Sequence, residues 1–158
     1  MFKVGDKVVY PMHGAGIIQA IEEREVLGEK QSYYIMKLPI GDMQVMIPVK
    51  SSEQVGLRPV IAPDEVENVV RVLRSGSSKM SSNWNRRYRA NLEKIRSGNI
   101  YEVAEVVRNL WLREKEKGLS TGERKMLDSA RQILVSELVL AKGIGEKDAN
   151  EMLEKILA

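Results

Sequence analysis

The chain has 158 residues, 43% of them hydrophobic and 30% charged, which is the balance of a globular protein of one ordinary domain or two small ones. Aromatics are only 5%, so any core is mainly aliphatic, and the absence of cysteine excludes disulfides and thiolate metal sites. No apolar run approaches the ~20 residues of a membrane span and the N-terminus lacks the apolar stretch of a signal peptide, so a cytoplasmic protein without a membrane partner is expected; the net charge of +3 becomes informative only when mapped along the chain.

Residues 1–60 are neutral, with seven Lys/Arg against seven Asp/Glu, and they read as short strands. Residues 7–10 form the first, followed by a turn over 11–14. Residues 15–26 form a longer one, closed by Gly28, and 33–38 a third, followed by a turn at Pro39-Ile40-Gly41-Asp42. Next, Met43, Val45, Ile47 and Val49 alternate with Gln44, Met46 and Pro48, a period of two that marks a strand with one buried face. That register leaves Met46 exposed, where a methionine suits an adaptable partner surface. Residues 55–58 are the expected fifth strand. Five short strands with tight turns and few aromatics predict a small antiparallel β-barrel over 1–60. A unit of this size is marginal alone, so it is expected to lean on the second half or on a partner.

At Ala62-Pro63-Asp64-Glu65 the pattern changes to helix, opened by proline and acids in a first turn. Arg74-Ser75-Gly76, Arg96-Ser97-Gly98, Lys117-Gly118 and Lys142-Gly143 each place a cation before a glycine, the signature of a helix stop. Ser82 is the expected cap of the second helix, while Asn99 with Glu102 and Ser120 with Glu123 have capping-box spacing. Five helices are predicted, at about 64–74, 83–96, 100–116, 121–142 and 146–157. They make residues 61–158 an all-α domain and the chain α+β. The Ser- and Gly-rich stretch 75–82 is the expected flexible loop. Ile100, Val103, Val107, Leu110 and Trp111 share one face, which reads Trp111 as core. Leu127, Ala130, Ile133, Leu134 and Leu138 share another, widened by Val135, Val139 and Leu140, so the fourth helix is expected to be central.

Catalytic patterns are missing. His13, the single histidine, sits in a turn without a second metal-ligating partner and reads as structural. Gly14-Ala15-Gly16 lacks the rest of a phosphate-binding fingerprint. Carboxylates are scattered, and no Ser or Lys is paired with an activator. No catalytic residue, metal or cofactor is expected, and the protein is not read as an enzyme.

The charge is local. Residues 71–96 hold eight Lys/Arg against Glu93 alone, the footprint of a polyanion-binding face and equally of a solvated basic one. Within this block Trp84, Tyr88, Leu92 and Ile95 fall at helical spacing. One reading makes them a core stripe. The other notes that Trp84 starts the helix, with Arg86, Arg87 and Arg89 within about one turn. Helix N-termini and arginines favour phosphate, and a flat side chain there can stack on a base or wedge into a step. Residue physics leaves both readings open.

Longer stretches carry a resemblance. They are Phe2-Lys3-Val4-Gly5-Asp6-Lys7-Val8-Val9-Tyr10-Pro11 with His13-Gly14, then Val45 through Pro48, and Val55-Gly56-Leu57-Arg58. The strongest block is Asn83-Trp84 with Arg86-Arg87-Tyr88 and Ala90-Asn91-Leu92-Glu93-Lys94, followed by Val103-Ala104-Glu105-Val106-Val107-Arg108 and Arg131-Gln132-Ile133-Leu134. Over essentially its whole length the chain resembles the CarD family of bacterial RNA polymerase-binding transcription factors; its N-terminal part also resembles the polymerase-interacting domain of transcription-repair coupling factor. The resemblance implies a Tudor-like barrel that docks on the β-subunit lobe of RNA polymerase, with Arg24 and Met46 at contacting positions. It implies a helical domain on promoter DNA at the upstream edge of the transcription bubble, stabilising the open complex. Trp84 matches a minor-groove wedge, and Arg86, Arg87, Arg89, Arg124 and Lys125 match positions facing the DNA backbone. Met46 departs from relatives that carry arginine there, which implies an apolar contact or a differently matched polymerase.

Phosphate contacts and a wedge read little sequence, so specificity is expected to be low, and a monomer is expected on polymerase. Two rival readings predict other things. A stand-alone repressor binds particular duplexes tightly without polymerase, usually as a dimer. A protein-interaction adaptor makes no DNA contact and buries Trp84 fully.

Overall fold

The computed structural model describes residues 1–76 and 78–158; Ser77, inside the stretch expected to be a flexible loop, lies outside the described residues. The period-two segments form β1 (Lys7–Tyr10), β2 (Gly14–Val26), β3 (Glu29–Lys37), β4 (Gln44–Pro48) and β5 (Arg58–Pro59). All pairings are antiparallel, in the order β4-β3-β2-β1-β5. The small antiparallel β unit expected over 1–60 is present, and because β4 and β5 are both edges it is an open five-stranded sheet, a barrel only in a loose sense. The chain between them is taken up by turns. A 3-10 turn over Val49–Ser51 runs into bonds from Val55 N–H to Ser51 O and from Leu57 N–H to Ser52 O. The expected strand at 55–58 therefore shrinks to β5.

One irregularity decides which side chains point where. Pairing of β2 with β3 runs Ile18↔Met36 and then Ala20↔Ile35, so Gln19 is an extra, bulged residue. A strand's facing inverts across such a bulge. Ile18 joins Val8, Tyr34, Met36, Leu38, Ile47 and Leu57 in the sheet's own core, while Ala20 joins the opposite face. The alternation expected for β4 holds at buried Ile47 and exposed Met46, but Met43 lies before the strand and is exposed.

The helical half is α1 (Val66–Arg74), α2 (Trp84–Arg96), α3 (Ile100–Glu116), α4 (Thr121–Lys142) and α5 (Glu146–Leu157), with a 3-10 turn at Pro63–Glu65 leading into α1. Gly98, Gly118 and Gly143 adopt the left-handed conformation their stops require (φ 72°, 78° and 66°), whereas α1 ends on an extended Ser75. Asn83, not Ser82, caps α2, its side chain accepting from Arg86 N–H at 3.0 Å. Asparagine one residue closer to the helix reaches the free amide that Ser82 cannot. Asn99 and Ser120 cap α3 and α4 as expected.

Ala130, Leu134 and Leu138 of α4 are fully buried, and α4 packs on α3, α5 and β2. Trp111 is half-buried against this core, with the Arg131 guanidinium 5.1 Å from its ring centroid. The stretch expected to be loose is tied at Ser78. Its N–H donates to Asn109 Oδ1 at 3.1 Å and its hydroxyl to Glu105 Oε1 at 2.9 Å, while Arg108 Nη2 and Asn109 Nδ2 donate to that hydroxyl. Burial pushes the Glu105 carboxyl up, but bonds from Lys94 and Ser78 outweigh it and hold the group below the usual carboxylate range.

The sheet sits directly on α4. Glu137, 1% exposed, accepts both arms of the Arg58 guanidinium at 2.7 and 2.8 Å and the Ile61 N–H at 2.9 Å. Arg58 Nε donates to Gly98 O, Ala15 N–H to Ser136 Oγ, and Lys7 Nζ to Leu140 O. Gly14 is forced by this seating: at φ 112° a Cβ would lie 2.8 Å from Ser136 Oγ. Val9, Ala15 and Leu140 fill the remaining contact.

Candidate nucleic-acid interface

The N-termini of α2 and α4 meet at the basic block. Arg87, 4% exposed, donates from Nε and Nη2 to the two oxygens of Glu123 at 2.8 and 3.0 Å, and Glu123 is 2% exposed. Arg87 Nη1 turns back to the Ser81 carbonyl at 3.2 Å. A bidentate pair of this kind satisfies both ions away from water. The bond to Arg87 holds the Glu123 carboxyl below its usual range despite burial, with Arg113 of α3 adding a further positive charge nearby, and the same bond raises Arg87. The family resemblance implies that Arg87 faces the DNA backbone. Its side chain is instead buried and fully engaged, so it is corrected to a structural strut between the two helix starts.

Trp84 sits on this strut. One face of the indole stacks on Tyr88, with centroids 4.9 Å apart and planes at 17°, a contact worth about 0.5–1.5 kcal/mol beyond burial. Its Nε1–H donates to Ser120 Oγ at 3.0 Å. The Cζ2 edge passes over Gly122, where a Cβ would lie in ordinary van der Waals contact with it at 3.4 Å. The residue is nevertheless 40% exposed. Trp84 is therefore not a core residue, and the fully buried tryptophan required of a DNA-independent adaptor is absent. With one face on Tyr88 and the nitrogen edge on α4, the exposure falls on the remaining face and edge.

Exposed cations lie on the opening turns of the same two helices. Arg86 and Arg89 are exposed on the outer side of α2, and Arg124 and Lys125 on the first turn of α4. Among the described residues Arg86, Arg89 and Lys125 have no ion-pair partner, and Arg124 has an exposed one in Glu114 at 3.4 Å, a weak type of contact. Two helix N-termini, each carrying roughly half a positive charge, converge behind these side chains. This arrangement favours an extended anion and offers it a flat apolar surface.

The two residues expected at polymerase lie elsewhere. Register places Ala20, Ile35 and Met46 in one row across β2, β3 and β4, and Glu22, Tyr33 and Pro48 in the next. Two residues further along β2, Arg24 belongs to the same face, with its guanidinium on Glu22 at 2.6 Å. Arg24 and Met46 thus share the face of the sheet opposite its own core, the face on which Val9 and Ala15 meet α4 further along, and Met46 is 40% exposed.

Comparison with known proteins locates this arrangement. A family model described as the CarD C-terminal domain matches residues 68–154, and one described as the CarD-like/TRCF RID domain, an RNA polymerase-interacting domain, matches residues 2–61. The "Putative transcription factor YdeB" of Bacillus subtilis (strain 168) is 48% identical over 147 residues, which are 93% of this chain and 96% of that protein. The chain belongs to the CarD family of transcription factors. Similar solved structures include the solution structure of the 72-residue N-terminal domain of Myxococcus xanthus CarD, at 34% identity over 37% of this chain and 79% of that one with a TM-score of 0.34. CdnLNt from the same organism is 44% identical over 39% of this chain and 86% of that one, with a TM-score of 0.33.

In this CarD-family chain, sequence reasoning missed three residues of the interface. Glu123 read as half of a capping box, but its carboxylate is taken by Arg87. Tyr88 read only as a member of a stripe left open between core and DNA-facing readings, and it is the shelf under Trp84. Ser120 read as a cap and also holds the indole. Only Ser120 carried a usable signal, a hydroxyl at a predicted helix start. Among the described residues no group of His, Asp and Glu could hold a metal ion, and no helix is long and apolar enough to cross a membrane.

Proposed function

We propose that the protein binds the RNA polymerase β subunit through the Arg24/Met46 face of its sheet and holds promoter DNA at the upstream edge of the transcription bubble, stabilising the open complex. The observation that carries this reading is the half-exposed Trp84, stacked and hydrogen-bonded at the meeting of two helix N-termini whose opening turns also expose Arg86, Arg89, Arg124 and Lys125. Four cations suit about four phosphate contacts, a weak interaction that loses on the order of a hundredfold in affinity when salt rises fourfold. A second attachment to polymerase makes the DNA contact intramolecular, at an effective concentration of up to roughly millimolar.

Inserting Trp84 between stacked bases costs a few kcal/mol in intact duplex. Much of that cost is absent at a junction polymerase has already opened, so binding favours the open complex by differential affinity. The contacts read backbone and shape, so sequence specificity is low, and one copy acts per polymerase in the cytoplasm. The test is the lifetime of open complexes formed with this protein. Trp84→Ala shortens it to the factor-free value while polymerase binding is retained; an unchanged lifetime removes the wedge.

A further inference from the structure

Building on the proposed wedge, we propose that Ser120 is the positioning residue of Trp84, held in its role by Glu123 and Arg87. The Ser120 hydroxyl accepts from Trp84 Nε1–H at 3.0 Å and from Glu123 N–H at 3.2 Å, and its own proton points to Glu123 Oε1 at 3.4 Å. A hydroxyl has two acceptor lone pairs and one proton, and all three are used. The orientation of the hydroxyl is therefore set, with a lone pair turned to the indole. Glu123 as a carboxylate is an acceptor only, so it cannot reverse that bond by donating to Ser120, and the Arg87 fork keeps it one. The series Arg87, Glu123, Ser120, Trp84 spans both helix starts, and Tyr88 closes the remaining freedom of the ring from below.

Two consequences follow for the wedge. The indole waits in its inserting pose, so DNA does not have to order it. Nε1–H, the only polar group of the side chain, is turned into the protein, so the edge left for DNA is carbon and carries no donor with which to read bases. Ser120 thereby acts on DNA without touching it.

The experiment separates this role from simple helix capping. Threonine keeps both hydroxyl and cap; glycine caps nearly as well as serine but has no hydroxyl. In full-length, nitrogen-15-labelled protein the two indole N–H resonances belong to Trp84 and Trp111. Ser120→Thr leaves the Trp84 resonance near its original position. Ser120→Gly moves it towards the solvent-exposed position and raises its exchange with water, while Trp111 and the melting temperature stay close to wild type. On promoter DNA with polymerase, Ser120→Gly shortens the open-complex lifetime roughly two- to tenfold, the scale of one hydrogen bond. In a Trp84→Phe background, which lacks the donor, adding Ser120→Gly has no further effect.

An unmoved Trp84 resonance in Ser120→Gly overturns the proposal. So does a Ser120→Gly effect of equal size in the Trp84→Phe background, which would assign Ser120 to capping alone. If Trp84→Ala leaves the lifetime unchanged, the promoter reading fails instead, and the resonance shift still decides whether Ser120 positions the indole.

Discussion

Replacing Arg87 by alanine removes two charge-assisted bonds, at 2.8 and 3.0 Å, from a carboxylate that is 2% exposed. Glu123 is then a buried charge without its hydrogen-bonded counter-ion, with only the more distant Arg113 beside it, a loss of up to about 3–5 kcal/mol by comparison with similar pairs. Against a total stability of about 5–15 kcal/mol, this lowers the melting temperature by roughly 6–20 °C. Urea unfolding followed by circular dichroism measures the change, with Arg86→Ala as the companion. Arg86 lies on the exposed side of α2, immediately before Arg87, and its replacement is expected to shift stability by no more than about 0.5 kcal/mol. A paired change, Arg87→Met with Glu123→Leu, restores much of the loss, because apolar side chains of similar volume need no counter-ion. The reasoning is refuted if Arg87→Ala leaves stability within experimental error of wild type and instead flattens the salt dependence of DNA binding. That result would return Arg87 to the phosphate contacts.

Combined Arg86→Ala and Arg89→Ala should reduce the slope of log affinity against log salt by about two, near 0.9 for each phosphate no longer neutralised; an unchanged slope strikes both from the interface. Arg24→Glu should weaken binding to polymerase in a pull-down with the β subunit while leaving affinity for free DNA unaltered, since Arg24 lies on β2, paired with Glu22, and not on α2 or α4. Stability should also depend on acid. Glu123 is held below its unfolded value, so its contribution is fully present above roughly pH 4.3, shrinks as pH drops below that, and is gone once pH passes through the lower folded value. Melting temperatures between pH 3 and 6 test this, and Glu123→Gln should show a flatter profile than wild type.

The helices were legible because their punctuation is local. Gly98, Gly118 and Gly143 take left-handed caps that other residues adopt at a cost, and apolar spacing marks α3 and α4 without reference to the rest of the chain. β1 to β4 were legible for the same reason. What escaped depends on pairing at a distance. That β4 and β5 are both edges appears only in the strand order, and the bulge at Gln19 only against β3. Arg87 looks like its neighbours Arg86 and Arg89 until Glu123, 36 residues away, is placed beside it. Trp84 was undecided on spacing alone because its stripe is real: Ile95 is buried and Tyr88 half-buried, yet the first residue of the stripe overhangs the helix start and keeps much of its surface in water.

The seating of the sheet on α4 has a mechanical consequence. Arg58 and Glu137 lock across the junction, and the backbone that joins the two halves is itself caught there through Ile61 N–H. The molecule is therefore a caliper with a fixed jaw rather than two beads on a string. For a protein proposed to grip polymerase on one side and DNA on the other, the span between the Arg24/Met46 face and Trp84 measures out a set length, and the base step that receives the tryptophan is chosen by that span. Adjusting the choice would mean recutting the joint around Glu137, because there is no slack of linker to lengthen.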